Sequence, residues 1–253
     1  MSLSACDALH AKVCLSLKDY TNAAAYADKV ITKSNFALST TSVEYAQAFV
    51  SNSSSKELVF ALANKRSTSL LLFYQTVNDI DPTWDYSPST ECYSHLYDDT
   101  AVKSKDIRAK AVFGADNSRI IKFPNGSTVQ FVTNEQPSQT PIVVTRVAEM
   151  YLIKAEALGA VNGLATLKEF MNKRYATVLL PSNMTDIEFQ NQILDERHRE
   201  LYAEGQRWYD LKRTNRLDLF SSLNGRNYLM YYPVPQSERD LAGEENYPRN
   251  EGY

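Results

Sequence analysis

Glycine is scarce, at 8 of 253 residues. Nucleotide folds place glycines where backbone amides must approach phosphate, and this chain has no such loop. It also lacks a Gly-x-Ser-x-Gly elbow and a His-Glu-x-x-His pair. Cysteine is scarcer still, with three residues. Cys6 and Cys14 stand two helical turns apart, too far along a helix axis to bridge, and Cys92 is alone. Buried free thiols are therefore expected. His10, His95 and His198 are scattered without a His or Cys partner at ligand spacing, so neither a metal nor a cofactor is expected. No apolar run is long enough to span a membrane, and no charged start leads into an apolar core as in a secretory signal. Leu3-Ser4-Ala5-Cys6 imitates a lipoprotein cleavage box, but Cys6 fits a helical position and the match reads as coincidence. The net charge of -3, without a cluster of Lys and Arg, argues against a nucleic-acid partner.

What is abundant is tyrosine, 16 against 10 Phe and 2 Trp. A flat face and a hydroxyl on one side chain suit wet, polar ligands, although most tyrosines are ordinary half-buried packing residues. The periodicity is mainly helical. Residues 7–34 read as a helix pair, with Ala8, Leu9, Ala11, Val13, Leu15 and Leu17 on the first helix and Ala23, Ala24, Ala27, Val30 and Ile31 on the second. Lys18-Asp19-Tyr20 makes the turn, and Thr21 or Asp19 supplies the capping oxygen. Leu-Lys-Asp-Tyr-x-x-Ala resembles a tetratricopeptide hairpin, in which the tyrosine fills the gap beside the turn. A poorer copy spans Arg146–Leu158 and Leu164–Tyr175, turning at Gly159–Gly163. Two hairpins leave a helical stack open at both ends, so further helices must cap it.

Between 41 and 140 the period changes. Residues 57–62 read as a short strand, and residues 120–123 and 128–132 flank Pro124-Asn125-Gly126-Ser127, a hairpin signal because Asn-Gly tolerates positive φ. The polar, aromatic stretch from 65 to 110, broken by Pro82 and Pro88, is irregular; long loops in compact domains tend to be functional. Within it, Asn78, Asp81, Trp84, Asp85 and Tyr86 bring stacking rings and hydroxyl-binding groups together, the two chemistries a sugar presents. Tyr74, Tyr93 and Tyr97 are neighbouring candidates. Trp84 serves either as a glycan contact or as an anchor for its loop. Asp79, Asp81 and Asp85 lack the Gly and the terminal Glu of a calcium loop. Asp98-Asp99 and Asp106-Ile107-Arg108 read as charge pairs anchoring a strand entry.

Thr185-Asp186-Ile187-Glu188 resembles a capping box opening a charge-dense helix that runs through Ile193, Leu194, Arg197, Glu200, Leu201 and Tyr202. Glu200 and Glu204 could be read as catalytic carboxylates. Arginines crowd them, which lowers their pKa values and suits scaffolding rather than acid catalysis. They are expected to hold Arg197, Arg207 and the Trp208 turn. No other stretch singles out the acid pair a glycosidase needs, so catalysis is not expected.

Residues 195–213, Glu-Arg-His-Arg-Glu-Leu-x-x-Glu-Gly-x-Arg-Trp-x-Asp-Leu-x-Arg with its preceding Asp195, resemble a signature of the SusD (RagB/SusD) family. Pro141–Ala157 resembles that family's Arg-x-Ala-Glu-x-Tyr-Leu-x-x-Ala-Glu-Ala helix, and Tyr232–Glu238 with Asn246–Tyr253 resembles its C-terminal ending, altered where Tyr247 and Arg249 flank Pro248. The resemblance implies a mostly α fold, a tetratricopeptide-like α-α superhelix with an irregular insert containing a small β-hairpin. It also implies one domain over 1–253, truncated at its N-terminus. Within it, 7–40 would be the helix pair, 41–140 the insert with the ligand loops, and 141–253 a helical region and bracing tail. Family members are surface-exposed glycan-binding lipoproteins of the outer membrane. They deliver glycan to a SusC-like TonB-dependent transporter and are not enzymes. Signal peptide and lipid anchor are then expected to lie outside this chain, as its membrane attachment would. The rival reading is a helical-repeat adaptor for a peptide or protein.

Overall fold

The computed structural model describes residues 2–50, 54–63, 88–97, 105–113, 120–123, 141–178, 180–220, 223 and 225–252. The protein is mostly helical, and its contacts divide it into two compact units, Met1–Tyr202 and Ala203–Tyr253.

In the first unit, α1 (Leu3–Ser16) and α2 (Tyr20–Ile31) form the anticipated pair. Asp19 caps α2, its carboxylate accepting from the Asn22 amide at 3.2 Å. Ala8, Ala11 and Leu15 of α1 pack against Ala23, Ala27 and Val30 of α2, and Met150 and Ile153 join them from a later helix. The small side chains allow the backbones to approach closely. Tyr20 does not fill the gap beside the turn: it is 44% exposed. The ring near this interface is Tyr26, 4.9 Å from His10. The three cysteines are half-buried thiols rather than sealed ones.

The element order continues with α3 (Ser42–Gln47), β1 (Leu58–Leu62), α4 (Thr90–Tyr97), α5 (Ile107–Val112), β2 (Ile142–Arg146), α6 (Val147–Arg174) and α7 (Asp186–Glu200). Helix α6 is two helices joined at one residue. Gly159 has φ 72° and ψ 178°, a conformation essentially reserved for glycine, and the chain doubles back there. Gly163 then presses onto the first half, since a Cβ at that position would stand 2.0 Å from the Ala155 carbonyl oxygen. Val147, Ala148, Leu152 and Ala155 of one half thereby meet Leu164, Leu167 and Phe170 of the other. Phe189 and Ile193 of α7 extend the same cluster. The signature helix is thus the next layer of the stack, the capping role that two hairpins required.

The strand expected at 57–62 forms β1, but its partner lies far along the chain. β1 pairs antiparallel with β2, Leu58 opposite Arg146 and Leu62 opposite Ile142, with irregular register between. Of the hairpin expected around Asn125-Gly126, Ile120 forms a bridge with Phe113; the turn and second strand lie outside the described residues.

Among its described residues the second unit holds the turn residues 203–205, α8 (Arg207–Thr214), short 3-10 turns at Leu217–Leu219 and Asn227–Met230, and α9 (Gln236–Ala242). Trp208 packs edge-on to Phe220, with ring centres 5.6 Å apart. No helix among the described residues is long and apolar enough to cross a membrane.

Candidate functional site

Asn78, Asp81, Trp84, Asp85, Tyr86 and Tyr74 all lie outside the described residues, as do Asp79 and Asp98-Asp99. Of the expected ligand residues, Tyr93 and Tyr97 are described, one turn apart on α4. Tyr93 is half-buried and meets Phe113 edge-on at 5.2 Å. Tyr97 is 3% exposed, packed beside Phe113 with ring centres 5.8 Å apart, and its hydroxyl has no hydrogen-bond partner among the described residues. In this arrangement Tyr97 offers no open face to a ligand. Phe113 in turn touches Tyr202, at 5.0 Å, and Tyr202 approaches His198. The tyrosines of α4 therefore belong to an aromatic cluster reaching the C-terminal end of α7.

Next to that cluster lies the main feature of the first unit, a buried network of charge centred on Glu200. Phe189, Ile193, Glu196 and Glu200 follow one another at helical spacing, so α7 carries two carboxylates on its apolar stripe. Burial raises a carboxylate's pKa, but at Glu200 the guanidinium groups of Arg174, Arg146 and Arg108 outweigh it and hold the pKa well below the ordinary value. Arg174 donates to both oxygens, at 2.9 and 3.1 Å, Arg146 to one of them, and Arg108 to the other at 3.3 Å. At Glu196 burial again acts upward and is overcome by Arg108 and Arg199. Glu57, from the residue before β1, binds Arg174 at 2.7 Å and Arg146 at 3.1 Å, and also accepts from the Ser39 amide. Asp106 pairs with Arg108 at 2.8 Å, the expected charge pair, but it caps the helix α5 rather than anchoring a strand entry.

Every one of these charges except Arg199 is buried, yet four carboxylates (Glu57, Asp106, Glu196, Glu200) face four cations (Arg108, Lys122, Arg146, Arg174). The walls are aromatic: Arg146 lies over Tyr45 and Phe49, and Arg174 over Tyr45 and Phe170, each between 5.2 and 5.4 Å from the ring centres. The backbone takes part as well. The Glu200 carbonyl, one of the unpaired acceptors at the end of α7, receives bonds from Tyr45, Lys122 and Arg146 at 3.0, 2.9 and 2.9 Å. Cations at a helix C-terminus also meet the negative end of its dipole.

These partners differ from those the sequence suggested. Glu200 binds Arg108, Arg146 and Arg174, none of which its spacing in the sequence singled out. Arg197 lies 3.7 Å from Glu149, which also pairs with Lys12 at 3.1 Å. Glu204 lies beyond the helix, in a turn where Ala203 and Gly205 both have positive φ. The signal that sequence reasoning missed is acid on an apolar helical face. It points to a buried ion network, although it cannot name the arginines. The carboxylates of the network are enclosed and already hydrogen-bonded, and the lowered pKa values of Glu196 and Glu200 are unsuited to a general acid. Among the described residues no cluster of His, Cys, Asp and Glu is arranged to hold a metal.

A model of the SusD family matches residues 73–227, more than half of the chain. The chain belongs to the SusD family. It is 32% identical over 173 residues to the starch-binding protein SusD of Bacteroides thetaiotaomicron, an alignment covering 62% of this chain and 30% of that protein. Among solved structures, a laminarin-binding SusD-like protein superposes with a TM-score of 0.69 at 22% identity, covering 100% of this chain and 63% of the other. Surface glycan-binding protein A of Bacteroides thetaiotaomicron, in complex with laminarihexaose, gives 0.66 at 18% identity, covering 99% and 64%. The fold is the one these SusD-family structures share, and the chain matches less than two thirds of the length of each of these three relatives.

Proposed function

We propose that this chain forms the C-terminal part of a non-catalytic glycan-binding protein of the outer-membrane surface. In this reading the parent protein captures oligosaccharide and passes it to a SusC-like TonB-dependent transporter, held at the membrane by a lipid anchor outside this chain. Family membership over residues 73–227 is the observation that carries it. A structural neighbour solved with laminarihexaose supports a carbohydrate as the ligand class. The charge network supports the absence of catalysis, because Glu196 and Glu200 are enclosed and neutralised by arginines.

The stacked helices act as a passive frame, and the residues proposed to touch glycan are Trp84, Tyr86, Asp81, Asp85, Asn78, Tyr74 and Tyr93. A ring held in place before binding loses little entropy when the sugar arrives. The test is a glycan array probed with the full-length parent carrying Trp84→Ala. Loss of glycan signal with an unchanged melting temperature is expected. Retained glycan binding would remove Trp84 from the site. If the parent bound no glycan and instead a protein partner through exposed Val13 of α1 and Leu17 at its C-cap, the adaptor reading would replace this one.

A further inference from the structure

The second unit contains a feature that the candidate ligand residues around Trp84 do not explain. Tyr209, Tyr231, Tyr232 and Tyr247 are all exposed there. Tyr228 and Tyr231 lie at the 3-10 turn Asn227–Met230, and the end of the chain returns to meet it, the Asn250 side-chain amide donating to the Tyr232 carbonyl at 3.3 Å. Gly252 permits that return. Its φ is +93°, and a Cβ there would stand 2.5 Å from the Tyr228 ring, so only a glycine allows the backbone to lie so close. Between turn and tail is a cleft of about 490 Å³ lined by Asn227, Tyr228, Tyr231, Asn250, Glu251 and Gly252. That volume is within the range of small-ligand sites, roughly 300–1,000 Å³.

The lining combines two complementary chemistries. Tyrosine rings offer faces to C–H groups, and two amides and a carboxylate offer donors and acceptors to hydroxyls. Among the described lining residues there is no cation to attract an anionic sugar, and Glu251 would repel one. Lys212 stands outside the lining, its ammonium 4.4 Å from the centre of the Tyr231 ring, and steadies that ring.

We propose that this cleft is a second saccharide subsite, one that takes a short stretch of neutral hexose units and shares no residue with the candidate ligand stretch 78–88. The choice of a saccharide rests on the glycan-binding reading above; the cleft itself stands on its own residues. Two weak subsites on one protein would raise its avidity for a long chain relative to a short one.

The experiment is saturation-transfer and side-chain amide NMR on the full 253-residue chain, with laminarihexaose and maltohexaose as probes. It compares the unaltered chain, Trp84→Ala, Tyr231→Ala and Asn227→Ala. Tyr231 and Asn227 are exposed, so both replacements should keep the fold, checked by thermal melting. With Trp84→Ala, residual binding that shifts the Asn227 and Asn250 amide signals is expected. Tyr231→Ala should weaken binding by about fivefold, the scale of one aromatic contact. If either probe binds the chain while those amides stay still and Tyr231→Ala binds unchanged, the second subsite is refuted and the Trp84 reading survives. If neither probe binds the unaltered chain at millimolar concentration, the cleft proposal and the glycan reading of this chain fall together.

Discussion

The two ends of α7 solve the same problem in opposite surroundings. At the N-terminal end, Thr185 caps the Glu188 amide while the Glu188 carboxylate bonds back to the Thr185 amide at 2.8 Å, all at an exposed position. At the C-terminal end, the Glu200 carbonyl and carboxylate are buried among Arg108, Arg146, Arg174, Lys122 and Tyr45. In water a loose end costs little, and a cap made of two neighbouring side chains is enough. In the interior each loose group would lose its hydration without return, so the structure gathers donors from five elements or loops. The contrast teaches that burial, rather than charge count, sets how many partners a helix end requires.

The sharpest break of this comparison is Glu200→Ala. It removes the carboxylate that three buried guanidinium groups share, leaving Glu57, Asp106 and Glu196 to balance them, and should cost about 3–5 kcal/mol, the scale for breaking a buried ion pair. Urea unfolding measures it, and a loss no larger than that of a surface substitution would show that the network does not hold the fold. Acid gives a milder form of the same test. The pKa values of Glu200 and Glu196 are depressed in the folded chain, so the stability they contribute is complete above the unfolded value of about 4.3 and is lost as pH falls through the folded values. Melting temperature should therefore drop steeply below that point, and Glu200→Gln, less stable at neutral pH, should show a shallower drop. Parallel curves for the two proteins would contradict the assignment. The smallest effect is expected at the outer end, where Thr185→Ala should cost about 1 kcal/mol by losing one cap. An effect equal to that of Glu200→Ala would erase the distinction between the two ends.

Much of the frame could be read along the chain. The first helix pair, the Asp19 cap, the short strand before Leu62, the capping box and the family signature rest on residues a few positions apart. The expected turn at Gly159–Gly163 contracts to Gly159 alone, with Gly163 already inside the second helix, because its missing side chain is needed for contact with Ala155. Partnership across long separations was not legible. β1 reads as a strand, but nothing in residues 57–62 names residues 142–146 as its partner. The ligand residues were chosen by chemistry; most lie outside the described residues, and Tyr97 shows how a ring with suitable chemistry can be taken up by packing.

Local spacing determined where helices start, stop and turn, because capping, φ preference and apolar periodicity all act within a few residues. The sequence by itself thus specified a helical SusD-family frame and the kinds of side chain it presents. Only the tertiary structure decided that Glu200 meets Arg108, Arg146 and Arg174, which lie 92, 54 and 26 residues away. Electrostatic attraction makes no distinction among arginines. Packing brought these three out of water together with the carboxylates that pair with them, Glu200 shared by all three and Glu57, Asp106 and Glu196 beside it.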